Sequence, residues 1–138
     1  MTHTNDGACK KCLDIMDKYP GINPQLKSWF LMAQAVYWNF HCADAGRGEY
    51  DQEAYFAKGA SKARWGQSSH NYNAAIDTFF LVDGAYSLDK DLYNQLAAEI
   101  PDYISWYGAP DAKFYELPHF EITEWRKLVA AGEASLVE

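Results

Sequence analysis

Two side chains that could bind a metal ion lie in the stretch GQSSHNYNAAID, residues 66–77: His70 and Asp77. Imidazole and carboxylate are both ligands of Zn²⁺, and a catalytic zinc site uses three protein ligands and keeps one position for water. The two residues are seven positions apart, so one straight strand would place them on opposite faces. The segment 71–73 (NYN) is a suitable place for the required bend. A third ligand must come from elsewhere in the chain.

A serine hydrolase is an alternative interpretation of the same stretch. Ser68 stands two residues before His70. However, GQSSHN lacks the Gly-x-Ser-x-Gly nucleophile elbow, and a catalytic base normally comes from a separate segment. We therefore disfavour a nucleophilic serine.

Three further histidines are candidates for the third ligand: His3, His41 and His119. His3 lies in a polar N-terminal tail, and His41 falls near the end of a predicted helix. His119 follows Glu116 by three residues. An imidazole ligand beside a carboxylate suits metal-assisted hydrolysis, in which the metal acidifies water and the carboxylate takes the proton. Spacing alone leaves ordinary local hydrogen bonding open as the role of all these histidines.

Two motifs, SSHNYNAAID and ELPHFE, contain these residues. The matching positions are Ser68, His70, Ala75 and Asp77 in the first motif and Glu116, His119, Phe120 and Glu121 in the second. The first resembles the pattern Ser-x-His-x-x-Gly-x-Ala-x-Asp of the zinc D-alanyl-D-alanine carboxypeptidases and the related phage L-alanyl-D-glutamate endopeptidases. The second resembles the other signature of that family. Asn73 stands where the family usually has glycine, and asparagine tolerates the left-handed backbone that a bend needs.

Additional segments extend the resemblance over residues 46–122. Arg47 and Gln52 keep the five-residue spacing of an upstream Gly-x-Arg segment of the family. WYGAP, before the second motif, is similar to the Trp-Gly-Gly run of the endolysin branch.

The resemblance implies that His70, Asp77 and His119 bind Zn²⁺ and that Glu116 is the catalytic base. Two neutral imidazoles and one carboxylate leave the ion a net positive charge, so it remains a Lewis acid. Glu116 would take a proton from water and later protonate the leaving amine.

Arg47 is the candidate to hold the substrate carbonyl oxygen as negative charge develops on it. The alternative is a surface ion pair of Arg47 with Glu49 or Asp51. Glu121 could support a histidine ligand, but we favour an exposed strand carboxylate.

Three residues are candidates for contact with substrate. Ser68 could bind substrate or orient a ligand, or it could be a turn hydroxyl. Gln52 could bind substrate or lie on a helix surface. Trp106 could form a wall of the cleft or pack against the sheet.

Several elements must position these residues. Hydrophobic periodicity predicts one helix from an Asn23 cap to Gly46 and a shorter helix within residues 50–63. Residues 74–87 predict a strand, a turn at Asp83-Gly84 and a return strand. A helix capped by Ser87 and stopped by Pro101, a strand PHFEI and a last helix capped by Thr123 follow. We expect an α+β fold, with a small, mainly antiparallel sheet packed against helices around a zinc cleft. The resemblance implies a hedgehog/D-Ala-D-Ala peptidase-like fold.

The composition suits one domain over residues 1–138, with 1–20 as a partly ordered extension and no separate wall-binding domain. Hydrophobic residues make up 49% of the chain and aromatic residues 16%. The net charge of −7 argues against nucleic acid as a partner and against attraction to anionic membranes. Neither a membrane span nor a secretory signal is recognisable, so we expect synthesis in the cytoplasm.

The three cysteines, Cys9, Cys12 and Cys42, do not predict a disulfide framework. CKKC, residues 9–12, has the spacing of half a zinc knuckle, and only HC at 41–42 could complete it. We favour ordinary reduced thiols.

We therefore predict a phage-type endolysin that hydrolyses a peptide bond of the peptidoglycan stem, L-Ala–D-Glu, with Zn²⁺ as cofactor. The alternatives are a D-Ala-D-Ala carboxypeptidase, a cross-bridge endopeptidase, and, in another class, a non-catalytic zinc-stabilised binding protein. We expect a monomer that is made in the host cytoplasm. It would act on the cell wall after a separate holin opens the membrane.

Overall fold

The structure is a computed structural model of the chain, and it describes residues 9–108 and 116–137. The helices are α1 (Lys10–Asp17), α2 (Pro24–Val36), α3 (Glu49–Ala57), α4 (Lys90–Ala97) and α5 (Trp125–Ala130). The strands are β1 (Phe40–Asp44), β2 (Ala75–Val82), β3 (Ala85–Ser87), β4 (Ile104–Tyr107) and β5 (Glu116–Ile122). A short 3₁₀ turn covers Ser69–Tyr72.

The strands form one sheet with the order β1-β2-β5-β4, and β3 pairs with β2 as a hairpin. Every described strand pair is antiparallel. The predicted α+β class with an antiparallel sheet is therefore confirmed. No helix in the described ranges is both long and apolar enough to cross a membrane.

The predicted helix from Asn23 to Gly46 is wrong in its second half. Asn23 caps α2 as expected, because its side chain accepts hydrogen bonds from two backbone N–H groups of the first turn. The helix ends at Val36, and Phe40–Asp44 forms β1, which pairs with β2. The first three residues of β1 are all buried, so the segment lacks the alternation of buried and exposed residues that identifies a strand. Its sequence was therefore assigned to the preceding helix.

Two predicted helix caps are also wrong. Asp89 caps α4, because its side chain accepts a hydrogen bond from Leu92 N, whereas Ser87 is the last residue of β3. The Thr123 hydroxyl bonds to Ser105 and the Asp102 carbonyl, and it does not cap α5.

An aromatic core packs between the sheet and the helices. Phe40, Phe80 and Phe120 come from β1, β2 and β5, and Trp29 of α2 lies 5.0 Å from Phe120 between ring centroids. Tyr93 of α4 lies 4.9 Å from Phe80. Because side chains alternate along a strand, the residues next to these phenylalanines point to the other side of the sheet. That side carries the candidate site.

Candidate metal centre

The bend between His70 and Asp77 is made by a capped 3₁₀ turn and a left-handed residue. The Ser68 hydroxyl accepts a hydrogen bond from His70 N at 3.2 Å at the start of the turn. Asn73 ends the turn with φ 59 and ψ 28, which is the left-handed conformation. Asparagine therefore does what glycine was expected to do there. The chain enters β2 with His70 folded back over Asp77.

Asp77 and His119 meet because they are direct partners across the β2–β5 ladder. Directly paired residues of antiparallel strands project on the same face of the sheet with their Cβ atoms close together. His70 reaches the same point from the turn. The two predicted motifs therefore converge on one location.

The three predicted ligand atoms form a nearly equilateral triangle. His70 Nε2 lies 3.1 Å from His119 Nδ1, and Asp77 Oδ1 lies 3.3 Å and 3.4 Å from these two nitrogens. A tetrahedral zinc ion with bonds near 2.0 Å separates its ligand atoms by about 3.3 Å. The residues thus fit a tetrahedral Zn²⁺ with three protein ligands.

The remaining ring nitrogens are occupied by hydrogen-bond acceptors. His70 Nδ1 donates to the Ala45 carbonyl at 2.7 Å, and His119 Nε2 donates to Glu121 Oε1 at 2.7 Å. Such partners fix the orientation of a metal-binding imidazole and select which nitrogen faces the ion. They leave His70 Nε2 and His119 Nδ1 directed at the centre of the triangle.

Glu121 is not the exposed carboxylate that we favoured from the sequence, since only 5% of it is exposed. Besides His119, its carboxylate accepts hydrogen bonds from Ser69 Oγ at 2.8 Å, Tyr107 OH at 2.7 Å and Trp125 Nε1 at 3.1 Å. The spacing of two from His119 on a strand indicates a shared face and could have predicted this contact. Sequence analysis missed Ser69, because no motif position marks it.

The charges at the site are strongly coupled. Burial would raise the pKa of the Asp77 carboxyl, but His70 and His119 outweigh it and hold this pKa well below its usual range. Burial would lower the pKa of His119, but the carboxylates of Asp77 and Glu121 raise it to about 9. In the metal-free chain, this raised pKa favours the positively charged His119 ring, with both nitrogens protonated, at neutral pH. His119 would have to release the Nδ1 proton to bind a metal ion, because a metal ligand must be the neutral imidazole.

Glu116 lies at the edge of the triangle, at the start of β5. Its Oε2 is 3.7 Å from His119 Nδ1, and 58% of its side chain is exposed. This carboxylate can therefore reach a water molecule beside the ligand triangle and still exchange protons with solvent.

Arg47 pairs with neither Glu49 nor Asp51. Its Nη2 lies 3.6 Å from Asp77 Oδ2, and its guanidinium stacks over the Tyr55 ring at 4.5 Å. Only 10% of the side chain is exposed, so the positive charge stays beside the ligand triangle.

Gln52 is fully buried, so its interpretation as helix surface is wrong. Its Oε1 accepts from Arg47 Nη1 at 3.2 Å and from Asn71 Nδ2 at 3.1 Å. Its Nε2 donates to the Ala63 carbonyl at 2.7 Å. In the described structure, Gln52 positions Arg47 and the 3₁₀ turn.

The other two candidates for substrate contact, Ser68 and Trp106, have structural partners. Ser68 caps the turn, as described above. Trp106 Nε1 donates to the Leu117 carbonyl at 2.7 Å, and its ring stacks on Phe120. Contact of either residue with substrate stays a prediction.

The solved structures that match this chain include two proteins of the kind that the motifs resemble. The crystal structure of Serratia marcescens L-Ala D-Glu endopeptidase ChiX matches with a TM-score of 0.66 and 20% sequence identity, covering 84% of this chain and 89% of ChiX. VanYB in complex with D-alanine-D-alanine matches with a TM-score of 0.51 and 22% identity, covering 79% and 75%. Neither a protein-family model nor a curated protein matches the sequence. The comparison confirms the expected fold.

Proposed function

We propose that this chain, which shares its fold with an L-Ala D-Glu endopeptidase, is a zinc-dependent peptidase acting on the peptide stem of bacterial peptidoglycan. The observation that carries the proposal is the triangle of His70, Asp77 and His119 at tetrahedral spacing, with the Glu116 carboxylate beside it. A zinc site that only held the fold would not need a partly exposed carboxylate at its edge, so Glu116 favours a catalytic centre.

The chemistry is amide hydrolysis. A bound Zn²⁺ acidifies water and polarises the substrate carbonyl. Glu116 takes one proton from the attacking water as the new C–O bond forms, and it gives that proton to the amine as the C–N bond breaks. The Arg47 guanidinium, held by Gln52 and Tyr55, stabilises negative charge on the carbonyl oxygen.

We propose L-Ala–D-Glu as the scissile bond. The support is the higher TM-score and coverage of the match to the L-Ala D-Glu endopeptidase than of the match to VanYB. A role in phage lysis, with a holin giving access to the wall, rests on the motif resemblance alone. The D-Ala-D-Ala carboxypeptidase and cross-bridge activities remain the alternatives for the test.

The test combines lysis with product analysis. Permeabilised Gram-negative cells would be treated with the wild-type protein, the chelator-treated protein, Glu116→Ala or Glu99→Ala. Glu99→Ala is the control, because it removes an exposed glutamate that lies outside both motifs. We expect loss of turbidity only with the wild type and Glu99→Ala. Equal behaviour of all four samples contradicts an enzymatic function and favours the non-catalytic zinc-stabilised protein.

Mass spectrometry of digested peptidoglycan then identifies the bond. Cleavage of L-Ala–D-Glu leaves a new amino terminus on D-Glu. Release of free D-Ala would instead show a carboxypeptidase, and a new amino terminus in the cross-bridge would show the third activity. Either result would overturn the proposed bond while keeping the proposed reaction class.

A further inference from the structure

A second cluster of metal-binding side chains lies where α1 meets β1. One ligand atom from each of Cys9, Cys12 and His41 lies within 4.8 Å of the other two. Cys9 and Cys12 are fully buried, and His41 is 1% exposed. The His41 Nδ1 atom is 3.5 Å from Cys12 Sγ. The cluster shares no residue with the candidate catalytic site.

The local backbone suits a metal site. Cys9 is the N-cap of α1, and Cys12 follows in the first turn, so the C-x-x-C spacing brings the two thiols to one side. This is the ligand spacing of one half of a zinc knuckle. His41 approaches from β1, at the position that pairs with Phe79 of β2. Helix and strand are thus joined through three soft or borderline ligands, which favour Zn²⁺ over Mg²⁺ or Ca²⁺.

A buried glutamine organises the cluster. Gln34 of α2 is a polar residue on the buried face of its helix, and its side chain is fully buried. Its Oε1 accepts a hydrogen bond from Cys9 N at 2.9 Å, and its Nε2 donates to Cys12 Sγ at 3.5 Å. The backbone N–H of Cys42 also donates to Cys12 Sγ, at 3.3 Å. Both donors are directed at the Cys12 sulfur and hold it beside the other two ligand atoms. Burial raises the pKa of this thiol to about 11, so a metal ion bound here would have to displace its proton.

Cys42 contributes its backbone and not its sulfur. Its Sγ donates to the Asp44 carbonyl at 3.4 Å and does not join the three ligand atoms. The structure therefore corrects the sequence interpretation that HC at 41–42 would supply two ligands. The described residues supply three protein ligands, and a water molecule would take the fourth position of a tetrahedral ion.

We propose that Cys9, Cys12 and His41 bind a second, structural Zn²⁺ that fastens α1 to the edge of the sheet at β1. None of the three cysteines, all within the described part of the chain, forms a disulfide. No carboxylate of the described residues joins this triad of ligand atoms, so the site has no general base at the metal. Its role is to hold the fold and not to react with substrate.

Cobalt substitution tests the proposal directly, because sulfur-to-cobalt charge transfer produces a near-ultraviolet absorption band that a site of nitrogen and oxygen ligands cannot give. We expect the cobalt-loaded wild type to show this band and to bind two metal ions per chain. Cys9→Ser/Cys12→Ser should lose the band and one ion. His70→Ala should lose the other ion and keep the band.

Cys42→Ser is the matched control, since it removes the thiol that makes no contact with the ion. It should retain the band and both ions. A reduced wild-type protein without the band, or with the same rate of thiol alkylation with and without zinc, overturns the proposal even if a cysteine variant fails to fold. Lysis activity is not used in this test, so the result is independent of the proposed function.

Discussion

The two clusters of ligands differ in access to solvent and in what surrounds them. At the candidate catalytic centre, Asp77 has 29% of its side chain exposed, and the exposed Glu116 lies beside it. At the cysteine cluster, all three residues are buried, and the Gln34 amide contacts Cys12. Three ligands therefore do not define the role of a metal site by themselves. Access and a nearby proton acceptor separate a reactive centre from a structural one.

The largest expected effect comes from removing a ligand of the exposed centre. His70→Ala should abolish peptidoglycan hydrolysis and remove one bound metal ion, because the Lewis acid and its activated water are lost together. Glu116→Gln should lower turnover by about 10²–10⁴-fold while both ions are retained. Product release and metal content, measured on the same samples, separate the two effects. Full metal content in His70→Ala would contradict the assigned ligand set.

The buried cluster should affect stability and leave the reaction unchanged. A ligand present at about a thousand times its Kd stabilises the folded state by about 4 kcal/mol. Cys9→Ser/Cys12→Ser should lose stabilisation of this order and retain turnover at temperatures well below its unfolding transition. Thermal unfolding with and without zinc measures the loss, with Cys42→Ser as the control. If zinc stabilised the double variant as much as the wild type, the cysteine cluster would not have the stabilising role that separates it from the catalytic centre.

Glu121 should influence the exposed centre through His119. Glu121→Gln replaces the carboxylate that fixes the His119 ring by a neutral group, and loss of such a partner costs roughly 10–100-fold in metal affinity or activity. Glu124→Gln, at a residue that forms an exposed ion pair with Lys127, is the matched control. Competition with a chelator measures the affinities. Unchanged zinc affinity in Glu121→Gln would show that this hydrogen bond does not support the ligand.

Zinc affinity at the exposed centre should depend on pH. The pKa of His119 is raised to about 9 in the metal-free chain, so below pH 9 zinc binding must release about one proton. Apparent affinity should therefore fall about tenfold per pH unit between pH 9 and pH 7. Calorimetry in buffers of different ionisation enthalpy counts the proton, in the Cys9→Ser/Cys12→Ser background so that one site titrates. A flat pH dependence would contradict the protonated state of His119.

The smallest effect is expected at the bend. Asn73→Gly adopts the left-handed conformation more readily but loses the hydrogen bond from Asn73 Nδ2 to the Ser135 carbonyl. The gain and the loss should offset each other to within about 1 kcal/mol of unfolding free energy. Asn73→Val should cost about 1–2 kcal/mol, because a β-branched residue resists this conformation. Urea unfolding measures both variants. Equal stability of the glycine and valine variants would show that the backbone conformation is not what the position requires.

The ligands of the exposed centre could be predicted because their chemistry and order lie in two short motifs. Two imidazoles and one carboxylate form a ligand set that suits Zn²⁺, and the bend needed between His70 and Asp77 follows from strand geometry. The burial of Glu121 could not be predicted from the motifs, because three of its hydrogen-bond partners lie outside the ELPHFE motif. Its burial depends on how Ser69, Tyr107 and Trp125 assemble around it.

The wrong assignment of β1 has the same physical origin, namely contacts between segments that are distant in sequence. β1 was taken for helix because both faces of Phe40–Cys42 are buried, which removes the alternation that identifies a strand. His41 was consequently placed at a helix end, and we favoured ordinary reduced thiols over its pairing with Cys9 and Cys12. Tertiary pairing, which local spacing does not encode, brings the N-terminal cysteines to that strand.

The direct pairing of Asp77 with His119 links metal uptake to correct assembly of the sheet. If β5 slipped by one residue along β2, Pro118 or Phe120 would face the ion, and the imidazole would turn toward the apolar side. A misregistered chain would therefore lack one of its three proposed metal ligands. Zinc in the growth medium would then stabilise chains with the correct register of β2 and β5. Chains with a slipped register would not gain this stabilisation.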